Sequence, residues 1–303
     1  MHLFFYYRWT LIYCSDIFFT GMTTNLSVLN TNQKWKDVTL VAFDTETSGA
    51  YPIGSDVVEF GAVKWKNGVE VARMNFLFKP RKPMSDFIIG IHKITNEMVA
   101  TAPLIGEKLQ DIRDFLDGAV LLAHHAPFDM GFMAYEFEKA KILLPSYPAI
   151  CTSLLARNVI PESVNHKLQT LVKYLKIDGG QAHRATDDAF ACLEVGLKCM
   201  ERVGHEATLA EVYAKVGKDL RWNAYTILQS GSSHIMNVCK ALENDQSLNI
   251  IYDGGSRGGN TRKIKPVGIV RNPDGDYIKA FCFIDAIEKR FYLSKISDME
   301  ITD

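Results

Sequence analysis

The chain has 303 residues, of which 47% are apolar and 23% are charged, and its formal net charge at pH 7 is −1. This length predicts a substantial core and two domains, and the near-zero charge excludes an overall attraction to nucleic acid, so such binding must come from local patches. The six cysteines include no Cys-x-x-Cys pair. They indicate reduced thiols and a cytoplasmic protein rather than a disulfide framework or a zinc site.

The first 36 residues predict an N-terminal tail. Residues 1–19 are rich in aromatic and aliphatic side chains, but Arg8 and Asp16 interrupt the apolar run. The segment lacks the basic start and cleavage site of a signal peptide, and it is too short and too charged for a membrane-spanning helix, so a membrane anchor is the less favoured alternative. We expect Met22 to be the natural start and residues 1–21 to be dispensable.

Residues 37–203 predict the first domain. The apolar run 38–43, the alternating residues 56–65 and the strand-like residues 70–79 form an antiparallel set, with a hairpin at Asn67-Gly68. A buried strand over 119–123 precedes a helix over 128–140 that Pro127 opens. Further helices are predicted over 104–116 and, as a pair, within 166–200.

Residues 204–233 predict a helical connector, with one helix near 208–216. Residues 234–303 predict a second domain, in which a helix over 234–242 is followed by short strands separated by glycine-containing turns.

Two carboxylates, Asp44 and Glu46, follow the first apolar run. A strand alternates its side chains, so both point to the same face. Neighbouring carboxylates raise each other's pKa unless a cation lies between them, and oxygen ligands of this kind suit Mg²⁺ or Mn²⁺. A solvated strand end is the alternative for this pair alone.

Two later acids are candidates for the same site. Asp129 lies in the first turn of its predicted helix, on an inward face where an acid needs a partner, although a helix-dipole role is the alternative. In the segment 183–188, helical phase places Asp188 beside an apolar stripe and Asp187 on the polar face. We therefore predict that Asp188 points inward and Asp187 outward.

Three segments together resemble the exonuclease motifs of the DEDDh 3′–5′ exonucleases, such as the proofreading subunit of bacterial DNA polymerase III and ribonuclease T. They are Phe43-Asp-Thr-Glu-Thr-Ser-Gly49, His124-His-Ala-Pro-Phe-Asp129 and His183-Arg-Ala-Thr-Asp-Asp188. The resemblance covers residues 37–203 and implies an α/β, ribonuclease-H-like fold with a mixed sheet.

The resemblance also implies the roles of the site residues. Asp44, Glu46, Asp129 and Asp188 would hold two Mg²⁺ or Mn²⁺ ions, and His183 would be the general base. Two metals suit phosphodiester hydrolysis because the attacking water and the leaving 3′ oxygen both need stabilisation.

Three further positions concern the substrate. Thr47 and Phe128 match family positions near the terminal nucleotide, although core packing is an alternative for Phe128. His125 departs from the family, which usually has Asn there, so a change in substrate handling is expected.

Residues 234–302 resemble a WYL-like domain, a small Sm-like β-barrel that implies binding of nucleic acid or a small effector. The match lies in residues 239–242, 248–252, 262–266, 276–280 and 289–293, and it departs from the family at Asp276-Tyr277-Ile278, where Trp-Tyr-Leu is usual. Within residues 256–271 no acid occurs, so the segment predicts either a phosphate-tracking patch or a solvated basic loop. Its cations are Arg257, Arg262, Lys263, Lys265 and Arg271.

These features predict a metal-dependent 3′–5′ exonuclease that releases nucleoside monophosphates from single-stranded DNA, in proofreading or repair and without a membrane. Its expected partners are the strand and either a DNA polymerase or a small effector. An RNA 3′ exonuclease is the alternative enzyme. A ligand-sensing nucleic-acid-binding protein with a non-catalytic scaffold domain is the alternative from another class, but a scaffold does not require four acids and a histidine.

Overall fold

The computed structural model describes residues 29–229, 231–254, 259–272 and 274–303. The expectations about residues 1–21 and about Arg257 fall outside this part of the chain. Within it, no helix has the length and apolar character needed to cross a membrane.

A mixed five-stranded sheet forms the centre of the N-terminal part, as predicted. Its strands are β1 (Leu40–Thr47), β2 (Val57–Lys66), β3 (Val69–Leu77), β4 (Val120–Ala123) and β5 (Ile150–Cys151). Their order is β3-β2-β1-β4-β5, with β1, β2 and β3 antiparallel and with β4 parallel to both β1 and β5. At the β2–β3 hairpin Asn67 and Gly68 have φ values of 52° and 86°, the positive values that such a turn requires.

Helices cover both faces of this sheet and extend beyond it. They are α1 (Asp86–His92), α2 (Asn96–Val99), α3 (Leu109–Leu116), α4 (Pro127–Ala140), α5 (Thr152–Val159), α6 (Leu168–Leu175), α7 (Ala185–Val203), α8 (Leu209–Val216) and α9 (Ser233–Glu243). The sequence did not predict α1, α2, α5 or β5, and β5 has only two residues, too few to show a periodicity. One apolar cluster includes Leu40, Leu122 and Cys192, and a second includes Phe43, Leu121 and Phe132.

The predicted connector, residues 204–233, is packed into the N-terminal part. Leu209 and Val212 of α8 belong to the first apolar cluster. Trp222, in a 3₁₀ turn, belongs to the second cluster and stacks on Phe43 with ring centroids 5.8 Å apart. The buried carboxylate of Glu138 accepts backbone N–H bonds from residues 227, 228 and 229 at 2.7, 3.3 and 2.9 Å. This segment is therefore part of the folded core rather than a free linker.

The C-terminal part is an antiparallel sheet with α9 packed on it. Its strands are β6 (Ser247–Tyr252), β7 (Thr261–Val270), β8 (Tyr277–Cys282), β9 (Ile287–Tyr292) and β10 (Ile296–Thr302), in the order β10-β6-β7-β8-β9. Its apolar cluster also takes in Ile53 and Tyr135 from the N-terminal part. The two sheets are thus joined through a packed apolar contact.

Candidate active site

The central strand β1 carries the first two predicted acids. Asp44 lies opposite Gly61 of β2, and Glu46 lies opposite Glu59. A Cβ added at Gly61 would lie 2.2 Å from the backbone carbonyl carbon of Ala185, at the start of α7. The missing side chain at Gly61 therefore allows α7 to approach the acidic end of β1.

The carboxylate of Asp129 is held by hydrogen bonds from Thr45 of β1. It is 2% exposed, and its Oδ1 accepts the backbone N–H of Thr45 at 3.0 Å and the Thr45 hydroxyl at 2.8 Å. The sequence analysis did not identify Thr45, although it stands between the two predicted ligands. Its bonds orient one carboxylate oxygen of Asp129 toward the strand that carries Asp44 and Glu46.

The first turn of α7 separates the two aspartates as helical phase predicted. Asp188 is 6% exposed and accepts hydrogen bonds from Gln169 Nε2 at 3.0 Å and from the backbone N–H of His183 at 2.7 Å. Asp187 instead accepts the backbone N–H of Gln181 at 2.8 Å, in the preceding loop. The inward position of Asp188 is confirmed.

Three side chains form a compact group with the spacing of a metal site. Glu46, His183 and Asp188 each offer a ligand atom within 4.8 Å of the others. His183 is exposed and has a φ of 64°, a left-handed conformation that its hydrogen bond to Asp188 helps to hold. The structure thus brings together the predicted base and two of the four predicted ligands.

The carboxylates of the predicted ligands lie close together in a poorly solvated region, so their negative charges repel one another. Burial, followed by the charges of Asp129 and Glu46, raises the pKa of Asp44 well above its usual value. Burial and the charge of Asp188 raise the pKa of Glu46 to about 8, and burial raises that of Asp129 to about 7 despite the Thr45 bonds. A divalent cation relieves such repulsion, and the carboxylate oxygens of this set suit Mg²⁺ or Mn²⁺.

Glu59 is a fifth carboxylate of this region, and the sequence analysis missed it. It is fully buried and accepts hydrogen bonds from Arg184 Nη2 at 2.8 Å, Ala185 N at 3.0 Å and Asn75 Nδ2 at 2.9 Å. Burial raises its pKa, but these bonds outweigh burial and the pKa falls below its usual value. The charged Glu59 therefore anchors the start of α7 and the residue after His183.

The two histidines of the second motif differ. His124 is buried between the Thr152 hydroxyl, at 2.8 Å from Nδ1, and the His166 carbonyl, at 3.0 Å from Nε2, and burial lowers its pKa to about 4. It is a neutral, structural histidine. His125 is exposed with a φ of 58°, a region that Asn and His both tolerate, so the departure from the family suits the backbone.

The two predicted substrate residues, Thr47 and Phe128, differ in their exposure. Thr47 is buried and donates its hydroxyl to the Gly49 carbonyl at 2.7 Å. Phe128 is 42% exposed and contacts Phe132 with ring centroids 5.1 Å apart. Since Phe128 is not enclosed in the core, it is available to a substrate.

The structure does not bring the predicted basic residues into one exposed patch. Arg262 is 5% exposed and lies 3.4 Å from Asp285, because strand alternation turns it to the buried face of β7. Lys263 and Lys265 lie on the other face, and Lys265 pairs with Asp245 at 2.8 Å. Arg271 is held by Asp276 at 2.9 Å. Of the four basic residues that the structure describes here, only Lys263 and Lys265 share a face of β7.

We expect the stability of the metal-free protein to fall as pH rises. Glu46 has a pKa of about 8 in the folded chain, against an ordinary 4.5, so between these values the folded state binds more protons than the unfolded state. For each extra proton that the folded state binds, the free energy of unfolding falls by at most about 1.4 kcal/mol as the pH rises by one unit. Melting temperatures should therefore fall between pH 6 and 8, and Mg²⁺ should raise them most at pH 8.

The matched control is Glu46→Gln, which removes one titrating group and should flatten the pH dependence. Melting temperatures that are the same for both proteins at every pH, with or without Mg²⁺, would contradict the argument.

The comparisons with known proteins agree with this site. A family model described as Exonuclease matches residues 41–195, about half of the chain, and a WYL domain model matches residues 233–301. The chain is 37% identical over 165 residues to DNA polymerase III PolC-type of Oceanobacillus iheyensis and 39% identical over 153 residues to that of Bacillus cereus. These matches cover 54% and 50% of the chain, but only 12% and 11% of the two relatives.

Among solved structures, exonuclease X in complex with 5′ overhanging duplex DNA is 27% identical, with a TM-score of 0.46, and the match covers 59% of this chain and 99% of that one. All five residues of the predicted metal and base set lie in the segment that the exonuclease family model matches. The chain therefore belongs to the exonuclease family, and it carries a WYL domain on the C-terminal side.

Proposed function

We propose that this exonuclease depends on divalent metal and releases nucleoside monophosphates from single-stranded DNA 3′ ends. The observation that carries the proposal is the group formed by Glu46, His183 and Asp188, whose ligand atoms lie within 4.8 Å of one another. The raised pKa values of Asp44 and Asp129, which result from burial and from the neighbouring carboxylates, support their membership of the same site.

Asp44, Glu46, Asp129 and Asp188 would hold two Mg²⁺ or Mn²⁺ ions. When bound, two such ions stabilise the attacking and leaving oxygens of a phosphodiester. His183 would accept the proton of the attacking water. Its exposure supports this role because the proton can then pass to solvent, and its backbone bond to Asp188 keeps the imidazole beside the acids.

The PolC-type names of the curated relatives support a proofreading or repair role on DNA, with a DNA polymerase as partner. Because the chain matches only about an eighth of those proteins, this partner is a proposal for the present chain. The buried, unpaired cysteines at positions 151, 192, 199, 239 and 282 support a reducing, cytoplasmic setting.

We propose that the C-terminal sheet closes into the small Sm-like barrel. Strands β9 and β10 are at opposite edges of the sheet, yet only residues 293–295 join them. The four residue steps from Tyr292 to Ile296 span at most about 14 Å, whereas a flat sheet of five strands is about 19 Å wide. The sheet must curve until its edges approach each other, which supports a barrel for a small effector or a strand.

The test is hydrolysis of matched DNA and RNA oligonucleotides labelled at the 5′ end, with Mg²⁺, Mn²⁺ or a chelator. We expect ladders that shorten from the 3′ end, faster on single-stranded DNA than on RNA, and none with chelator. Equal cleavage of RNA would favour the RNA 3′ exonuclease that uses the same site. A folded chain that cuts neither substrate would favour the non-catalytic scaffold.

We predict that the C-terminal lysines contribute to affinity for the strand rather than to chemistry. Replacing Lys263 and Lys265 by alanine should reduce the dependence of log affinity on log salt by about 0.7 for each lost phosphate contact. Lys66→Ala, on the exposed end of β2, is the control and should leave the slope unchanged. Equal salt slopes in the unmodified chain and both variants would mean that Lys263 and Lys265 do not contact the strand. The binding of a small effector by the barrel would then be the favoured role.

A further inference from the structure

A cavity of about 460 Å³ lies between the exonuclease part and the C-terminal sheet, a volume in the range of small-ligand sites. His125, Phe128 and Gly131 line it from the exonuclease side, and Val270, Arg271 and Tyr277 line it from the sheet. Phe128 directly precedes Asp129, one of the proposed metal ligands. None of the four acids lines the cavity, but its wall on α4 begins one residue from that ligand.

The two walls of the cavity are held together by close packing. Tyr51, in the loop after β1, lies on the backbone of β7, where a Cβ added at Gly268 would be 2.1 Å from Tyr51 Cγ. Ile53 and Tyr135 of the exonuclease part share an apolar cluster with Ile250 and Ile269 of the sheet. The packed junction between the two parts of the chain thus defines the walls of the cavity.

The chemistry of the lining differs sharply from that of the neighbouring acid cluster. Among the described residues that line the cavity none is acidic, and the ionisable ones include Arg271 and His125. Aromatic rings contribute from both walls, with Phe128 on one side and Tyr277 on the other. Flat apolar surfaces next to a guanidinium suit a nucleobase with its attached phosphate, although Arg271 is already paired with Asp276.

A buried polar group also lacks a partner at this cavity. Tyr225 lines it and is 1% exposed, and its hydroxyl has no hydrogen-bond partner among the residues that the structure describes. A buried hydroxyl is normally satisfied. A ligand with polar edges, such as a base, offers it a partner after a small adjustment.

We propose that this cavity binds a nucleobase of the strand being degraded, so that the WYL sheet forms one wall of the substrate site. The inference rests on the proposed exonuclease function and deepens it. The same chemistry would accept a free nucleoside monophosphate, the product of the reaction, and the experiment separates the two sources.

The first test compares Tyr277→Ala with Tyr292→Ala in the full chain. The two rings contact each other at 5.9 Å, so both variants lose that contact, but only Tyr277 lines the cavity. Binding is measured in an Asp188→Ala background with Mg²⁺, using oligonucleotides that carry one abasic residue at each of the last four 3′ positions. At one of these four positions, removing the base should weaken oligonucleotide binding about tenfold in the Tyr292→Ala protein. The same removal should leave oligonucleotide binding by the Tyr277→Ala protein unchanged.

The second test fills the cavity. Gly131 lies on α4, and an added Cβ would be 3.8 Å from Pro52 Cγ, an ordinary contact. Gly131→Ala is therefore the control, whereas Gly131→Leu projects into the cavity and should remove the same base-dependent affinity. Titration with deoxythymidine monophosphate measures the free-nucleotide source, for which binding should be lost in Tyr277→Ala and Gly131→Leu only.

If removing a base no longer weakens oligonucleotide binding in the cavity variants, the cavity binds a base of the strand. If these variants lose only the binding of the monophosphate, the cavity binds a free nucleotide. If each cavity variant behaves like its control with both ligands, the proposal is wrong. Hydrolysis by the unmodified chain is measured separately, so a failure here is distinct from a failure of the proposed exonuclease function.

Discussion

Replacing Asp188 by alanine is expected to lower metal-dependent hydrolysis at least about a thousandfold, since loss of a metal clamp removes several kcal/mol of transition-state stabilisation. Asp44→Ala should have the same effect. Both variants should stay folded, because removing one buried carboxylate relieves the repulsion that raises the pKa values of its neighbours. The measurement is the initial rate of nucleotide release with Mg²⁺, together with the melting temperature of the metal-free protein.

Asp187→Ala is the matched control for this experiment. Asp187 is the adjacent residue of the same helix turn, but its carboxylate bonds to the backbone N–H of Gln181 rather than to the acid cluster. One such bond is worth about 0.5–1.5 kcal/mol, so its loss should slow hydrolysis by no more than about tenfold through the loop that carries His183. A folded Asp187→Ala protein without activity, beside an active Asp188→Ala protein, would reverse the choice of aspartate.

A chain that ends at Gly204 is expected not to fold, although every predicted catalytic residue precedes that position. Such a chain lacks α8 and the 3₁₀ turn, and therefore five core side chains: Leu209, Val212, Val216, Trp222 and Tyr225. Burial of each contributes about 1.5–3 kcal/mol, and together they match the net stability of an ordinary domain, about 5–15 kcal/mol. From the sequence alone, residues 204–233 were predicted to be a connector outside the first domain.

A chain that ends at residue 232 is the control for the truncation. It keeps the five core side chains and the three backbone bonds to Glu138, so it should fold and cut single-stranded DNA. It lacks the C-terminal wall of the cavity and the lysines Lys263 and Lys265 of β7, so its affinity for the strand should be lower. Circular dichroism and urea unfolding of both chains make the comparison. Cooperative unfolding of the shorter chain would show that α8 and the 3₁₀ turn are dispensable for the core.

Local order in the chain was readable from the sequence because it depends on short-range geometry. The two-residue period of a strand placed Asp44 and Glu46 on one face, and the 3.6-residue period of a helix turned Asp188 inward and Asp187 outward. Asn67-Gly68 predicted its hairpin because few residue pairs adopt two successive positive φ values. The same strand alternation separates Arg262 from its neighbouring lysines, and it was available in the sequence once β7 had been recognised as a strand.

The long-range contacts were decided only by the tertiary structure. Glu59 read as one residue of an alternating strand, and its bonds to Arg184 and Asn75 join segments that are distant in sequence. The bond from Thr45 to Asp129 depends on how α4 packs beside β1. The cavity depends on the packing of Tyr51 against Gly268, between two domains that sequence periodicity describes separately. Periodicity determines which way a side chain points along its own element, whereas its partner across space depends on the packing of the whole core.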